Sequence, residues 1–316
     1  MTNKEKYIQF CKIESIPIFS QYWWLDTVCG EKNWDVLLYE KGGKIIASMP
    51  YYITKKSIFT YLGMPKLTQT MGPYITYPKD QKYYKQLSLE KEVMIYFIDN
   101  LTEFDYFAQN FNHEIKNWLP FYWKGFKQTT RYTYIIENTS DINNIWDNLT
   151  SDTRKKIKKA EKNLKIVETD NINKYFSMVK MSFERQNLAT PYSIDFFNKL
   201  DQACSLHKSR KIYLAMDEQD RIHVAIYIVW DKKSIYLLSS GGDPKLRNSG
   251  AKNLLVWHAL KFASDKKLSF DFEGSMMENI EIYNRSFGAV QKPFFTITKT
   301  NSKILKIKNL IKEIRL

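Results

Sequence analysis

The chain repeats itself, and the repeat limits the folds open to it. Residues 44–63 and residues 221–240 align without a gap: each opens on a basic residue followed by isoleucine, and each carries Lys-Lys-Ser-Ile at the same offset. Another β-rich run precedes each copy, residues 36–39 in the first half and 212–215 in the second. The joining turns are short, Lys41-Gly42-Gly43 and Asp217-Glu218-Gln219-Asp220. Paired glycines suit a tight hairpin because they reach positive φ without strain. Branched and aromatic residues fit pleated strands. Each half is therefore expected to hold a three-strand antiparallel meander, and the shared order of elements points to duplication.

The second copy runs into a ligand-binding pattern. Residues 235–238 read as an apolar strand that passes into Ser239, Ser240, Gly241, Gly242, Asp243 and Pro244. Arg247, Asn248, Ser249, Gly250, Ala251 and Lys252 then open a helix through Leu254, Leu255, Trp257 and Leu260. The first turn of a helix has unpaired N–H groups and a dipole that favours negative charge. Glycine lets a backbone approach a phosphate closely. An anion site is expected there, although such loops also serve as plain connections.

Periodicity and turn residues place the other elements. Helices are expected over 18–28, 87–100, 154–163 (capped by Ser151 and Asp152), 172–186, 193–208 and 279–286. Strands are expected over 132–136, 269–273 and 293–299, with Pro120-Phe121 in a loop. The polar stretch 137–141 reads as a boundary. The domains are set at 1–148, at 149–300 with the expected ligand site, and at 301–316 as a basic amphipathic helix.

With 316 residues, 44% of them hydrophobic, the chain can bury a full core. Its formal charge of +14 suits anionic partners such as nucleotides, nucleic acid or anionic lipid, or else a lysine-rich solvated surface. The three cysteines, Cys11, Cys29 and Cys204, are far apart, so neither a CxxC motif nor a structural zinc site is expected. The first residues lack the apolar run of a signal peptide, and no segment has the apolar length of a membrane span. A cytoplasmic protein, at most peripheral to the inner membrane, is the expectation.

Particular segments carry a resemblance. Residues 149–162, beginning Leu149-Thr150-Ser151-Asp152-Thr153-Arg154, resemble the opening of the second domain in Fem-type proteins. Residues 182–187, 271–276 and 284–289 are similar to segments of the same family, and the last two also resemble acetyltransferases encoded with bacterial polysaccharide genes. Gln69-Thr70-Met71-Gly72-Pro73 resembles a family turn. The element order is that of the GNAT acyltransferase fold. The resemblance implies an α+β (α/β) chain of two tandem GNAT-like domains, each a mixed, mainly antiparallel sheet flanked by helices, with the first domain degenerate. It implies N-acyl transfer from acetyl-CoA or another acyl-CoA to an amine of an envelope amino sugar or peptide. Aminoacyl-tRNA as donor, and a fold retained without catalysis, are the alternatives. The acceptor would be a small molecule or a lipid-linked glycan or peptide, and no metal is implied.

Residue roles follow from the resemblance. Leu238, Ser239 and Ser240 would splay from the neighbouring strand and hold the donor, with Arg247, Asn248, Ser249, Gly250, Ala251 and Lys252 at its phosphates. The family usually has Gly or Ala where this chain has Lys252. The acid tyrosine of many relatives falls at Asn284, with Tyr283 beside it. Glu273 and Tyr283 are the expected catalytic residues; Arg185, Gln186, Asp271 and Arg285 are the expected substrate contacts. Alternation along a strand would put Asp271 and Glu273 on one face, as a general base or as ion-pair partners of Arg185 or Arg285. The histidines show no nucleophile pattern. Residues 154–165 form a positive helix face, for solvent or for tRNA. In the terminal helix Ile304, Ile307, Ile311 and Ile314 share a face among lysines, suited to packing on the body or to an anionic membrane.

Overall fold

A computed structural model describes residues 1–314, with side chains through Lys308. In chain order the elements are α1 (Asn3–Ile13), α2 (Tyr22–Cys29), β1 (Trp34–Lys41), β2 (Lys44–Lys56), β3 (Phe59–Gly63), β4 (Tyr74–Ile75), α3 (Tyr83–Asn100), β5 (Tyr106–Asn110), α4 (Leu119–Trp123) and β6 (Lys127–Ile136). There follow α5 (Ile142–Asn148), α6 (Ser151–Glu161), β7 (Lys165–Glu168), α7 (Ile172–Glu184), α8 (Ile194–Leu206), β8 (Arg210–Met216), β9 (Ile222–Trp230), β10 (Ser234–Gly242), α9 (Ala251–Lys266), β11 (Ser269–Asp271), α10 (Glu278–Arg285), β12 (Val290–Thr300) and α11 (Lys303–Ile314). Two compact units result: residues 1–131 with 293–316, and residues 132–292. Among the described residues no helix is long and apolar enough to cross a membrane.

In the first unit β1, β2 and β3 form the antiparallel meander. Parallel neighbours need a crossover; α3 supplies it between β3 and β5, and β12 then pairs antiparallel with β5. Leu89, Val93, Met94 and Phe97 form the buried stripe of α3, packed with Met49, Phe107, Phe111 and Ile297.

The second unit has the same plan. β8, β9 and β10 form the meander, α9 crosses over to β11 parallel to β10, and β6 pairs antiparallel with β11. The duplication seen in sequence is therefore a duplication of topology, with β7 added at the edge of the second copy. Residues 165–168 are too few and too charged to show strand periodicity. The two hairpins differ at their turns. Lys56 pairs with Phe59 in the first, whereas Trp230 pairs with Ile235 in the second. Up to the bulge after Tyr236 the strands slip by an even number of residues, which keeps those side chains on their faces.

Both faces of the second sheet are covered, so its strands read as continuous apolar runs. Val224, Ile226 and Ile228 pack with Leu255, Trp257 and Leu260 of α9. On the opposite face Tyr227 meets Tyr175 of α7 and Phe197 of α8, at ring-centroid distances of 5.4 and 5.1 Å. The positive helix α6 buries Thr153, Ile157 and Ala160, with its lysines exposed. Thr150, one residue earlier than expected, caps it by accepting from the Thr153 N–H.

Other expectations shift in detail. Residues 18–28 are not one helix: a 3-10 turn at Ile18–Ser20 is separated from α2 by the extended Gln21. Pro120 is not in a loop but in the first turn of α4, where its missing N–H costs nothing. In α11, Leu305 is buried, whereas Ile304 and Ile307 are about 60% exposed. The side chains of Ile311, Lys312 and Ile314, and all of Arg315 and Leu316, lie outside the described residues.

Candidate functional site

The site begins at the fork between β10 and β11. These strands pair only over Ser234–Tyr236 and Ser269–Asp271, so the rest of β10 has an open edge on that side. The opposite edge stays paired to β9, with a bulge between Tyr236 and Ser239. A bulge shifts the phase of a strand and re-aims its side chains. Ile235 and Leu237 accordingly face the α9 core, while Ser239 turns to the other face, its Oγ 3.5 Å from the Tyr192 hydroxyl. Gly241 sits against α7 so closely that a Cβ would lie 2.3 Å from backbone atoms of Met178 and Val179. The Gly242 N–H donates to Ser182 Oγ at 2.9 Å, tying the strand end to α7.

The loop after β10 differs from the expected direct helix start. Arg247–Ser249 form a 3-10 turn, Gly250 takes a left-handed φ of +77°, and α9 begins at Ala251 with no side-chain cap. Gly250 is needed twice over, since a Cβ there would also stand 2.5 Å from the Lys156 carbonyl oxygen of α6. In the first turn of α9, Ser249 Oγ accepts from the Ala251 N–H at 3.3 Å. The other N–H groups of this first turn have no side-chain cap, an arrangement that suits an anion.

Beside this turn lies a cavity of about 390 Å³, lined by Ser182 of α7, Arg185 and Gln186 just after that helix, the β10 end from Ser240, Arg247, Lys252, and Met277, Ile280 and Tyr283. Lys252 points into it with its ammonium 4.4 Å from the centroid of the Tyr283 ring. Burial pushes the Lys252 ammonium down to about 8. The Tyr283 hydroxyl is buried with no hydrogen-bond partner, and burial pushes its pKa well up. The cavity therefore has cationic walls, with Asp243 as its one lining carboxylate among the described residues.

Glu273 lies outside the cavity lining, beyond the end of β11. The strand stops at Asp271, and Glu273 takes a left-handed φ of +51°, so Asp271 and Glu273 do not alternate along one strand face as expected. A left-handed residue turns its side chain out of the pleat. Asp271 is buried; its Oδ1 accepts from Thr133 Oγ1 at 2.5 Å and from the Glu273 N–H at 2.8 Å. Gly274 completes the turn, where a Cβ would meet the Tyr132 carbonyl oxygen at 1.8 Å. Glu273 Oε1 is buried without a partner. Burial, then the nearby Asp271 charge, hold the Glu273 carboxyl well above the usual carboxylate range. Burial first, and the nearby Glu273 charge after it, raise the hydroxyls of Tyr175 and Tyr192.

Of the residues singled out in sequence, the cavity brings together Arg185, Gln186, Ser240, Arg247, Lys252 and Tyr283. Ser239, Asp271 and Glu273 gather at the fork, and Leu238 is buried in β10. Asn248, Ser249, Gly250 and Ala251 shape the loop and helix start without lining the cavity. Arg285 points elsewhere and donates to Glu281 at 2.8 Å. Asn284, at the position of the family tyrosine, is buried with its Nδ2 unpartnered. Sequence reasoning did not single out Tyr175 and Tyr192: they lie on α7 and just before α8, far from any motif.

Residues 148–278 match the family model described as acetyltransferase (GNAT) domain. No curated protein matches the chain. Among solved structures, FemX superposes with a TM-score of 0.68 at 10% identity, over 93% of this chain and 96% of that one. The C-terminal domain of a protein assigned as a lysylphosphatidylglycerol synthetase from Agrobacterium fabrum gives 0.56 at 9% identity, over 94% and 93%. L-PGS from Bacillus licheniformis gives 0.50 at 11%, over 87% of each chain. Residues 148–278 thus match a GNAT acetyltransferase domain, in a chain whose fold is like that of FemX.

Proposed function

We propose that the second unit is an N-acyltransferase that moves an acyl group from acyl-CoA to a primary amine of an amino sugar or peptide of the bacterial envelope. One observation carries this reading. A cationic cavity joins the uncapped start of α9 to the open edge of β10, and inside it Lys252 has no carboxylate partner and Tyr283 has a hydroxyl without a hydrogen bond. Those groups fit a ligand with phosphates at one end and an amide-bearing chain at the other.

Arg247, with Arg185 on the opposite wall, and the α9 N–H groups would hold the phosphates. The free backbone groups of β10 would pair with the amide-bearing chain and lay the acyl carbon at the fork. Acyl-CoA supplies an activated carbonyl there. Glu273 would accept the proton of the attacking amine, since a carboxyl raised by burial is a stronger base nearer neutral pH. Holding the amine against the carbonyl would supply most of the acceleration.

A second reading replaces acyl-CoA with aminoacyl-tRNA. The likeness to FemX over nearly the whole chain, and the exposed lysines of α6, favour it. Thiol release from acetyl-CoA and longer acyl-CoAs, measured with a panel of amino sugars and peptides, separates the two. Amine-dependent thiol release supports acyl-CoA as donor. Its absence with every acyl-CoA, together with transfer from aminoacyl-tRNA, supports the second reading. Binding without transfer from either donor would leave a GNAT fold retained without catalysis.

A further inference from the structure

We propose that the Lys252 ammonium is the proton donor to the leaving group of the acyl donor, held on target by the face of the Tyr283 ring. The proposal rests on the acyl-CoA reading above.

A buried cation is costly unless something negative faces it. The charged or titratable groups facing Lys252 across the cavity are Arg185 at the C-cap of α7, Asp243 and Arg247 from the loop, and Tyr283 from α10. Its pKa is lowered by burial alone, with no carboxylate opposing the shift. The fold supplies the Tyr283 ring face, which attracts a cation weakly. A lysine that served only a permanent phosphate charge could stand at the rim with Arg185 and Arg247, which are both exposed. Lys252 is instead drawn inside, beside the β10 end. Negative charge develops there only as the leaving group departs, which is where a preformed cation accelerates a reaction most.

Neighbouring residues are poorly suited to the task. Asn284 occupies the position expected for an acid tyrosine, and an amide does not give up a proton. The Tyr283 hydroxyl is held protonated by burial, well above the range where it would transfer a proton readily. Lys252 titrates near neutrality, at about 8, the match general acid catalysis requires. The step balances. The acceptor nitrogen bonds to the carbonyl carbon, and its proton passes to Glu273. The carbon–sulfur bond breaks with its electron pair on sulfur. The proton on Lys252 Nζ moves to that sulfur; solvent then returns a proton to Lys252 and takes the one held by Glu273.

The test compares the protein with Lys252→Ala, Lys252→Arg and Tyr283→Leu, using acetyl-CoA and one saturating amine from pH 6 to 10. The wild type should lose kcat above about pH 8 as the ammonium deprotonates. Lys252→Ala should lower kcat about 100-fold with little change in KM for acetyl-CoA, and should lack the alkaline limb. Arginine keeps the charge but holds its proton throughout this range, so Lys252→Arg should stay slow. Tyr283→Leu removes the ring face and should lower kcat about 5-fold, the size of a weak positioning effect. A raised KM with unchanged kcat in Lys252→Ala, or full kcat in Lys252→Arg, would overturn the proposal while acyl transfer itself stood. Absence of wild-type transfer from acetyl-CoA would overturn the functional reading and this step with it.

Discussion

Lys252→Met should make the protein more stable at neutral pH while it destroys activity. Burial moves the ammonium from its ordinary 10.5 to about 8. By the linkage between pKa and free energy, that corresponds to roughly 3 kcal/mol against the folded state with lysine charged. The residue is partly reached by solvent and the Tyr283 ring returns about 1 kcal/mol, so a gain of about 1–2 kcal/mol is the working figure. The pH dependence fixes the sign. The folded pKa lies below the unfolded one, so the unfolded chain holds more protons between about pH 8 and 10.5. This group's contribution therefore rises with pH across that window and is lost as pH falls through 8. Urea denaturation at pH 7 and pH 10.5 should show the methionine variant ahead at pH 7 and most of the gap closed at pH 10.5. Equal stability at pH 7, or a gap that does not change with pH, would refute the idea that Lys252 is buried as a cation without a partner.

Three other outcomes follow from the site. Glu273→Gln should lower kcat about 100-fold with the fold intact; because the folded pKa of Glu273 is raised, its stabilising effect is lost as pH climbs above 4.5, so the variant should be relatively more stable at pH 8 than at pH 4 by thermal melting. Gly241→Ala and Gly274→Ala drive a Cβ into backbone atoms at 2.3 and 1.8 Å, and each should cost more than about 2 kcal/mol in denaturant titrations. Gly250→Ala combines the left-handed φ of +77° with the Lys156 carbonyl at 2.5 Å, and should lose both stability and donor affinity in a paired melting and binding measurement.

The sequence shows the parts of this architecture that obey local rules. The repeated Lys-Lys-Ser-Ile segments mark the two hairpins, and both meanders form where the β-rich runs lie. The loop from Ser240 to Lys252 marks the cavity, because a strand, glycines and a helix start leave a local signature. What stayed hidden depends on distant contacts. The turn at Glu273 is set by Asp271, Thr133 and the close approach of Gly274 to Tyr132, which no spacing reveals. The bulge before Ser239 re-aims side chains without changing composition. Arg285 looked like a ligand residue by its place beside Phe287-Gly288, yet an i,i+4 carboxylate, Glu281, takes its guanidinium. Lys252 departed from the family pattern in sequence; only its burial against Tyr283 turns that departure into a chemical role.

Calorimetric titration with acetyl-CoA, wild type against Arg247→Glu, tests the central claim most directly. Arg247 lines the cavity and is exposed, so reversing its charge should leave the fold intact. Saturable binding near micromolar, about −8 kcal/mol, weakened at least tenfold in the variant, is the predicted result. Absence of binding by the wild type to acetyl-CoA and longer acyl-CoAs, or equal binding by both proteins, would contradict a donor site at the start of α9.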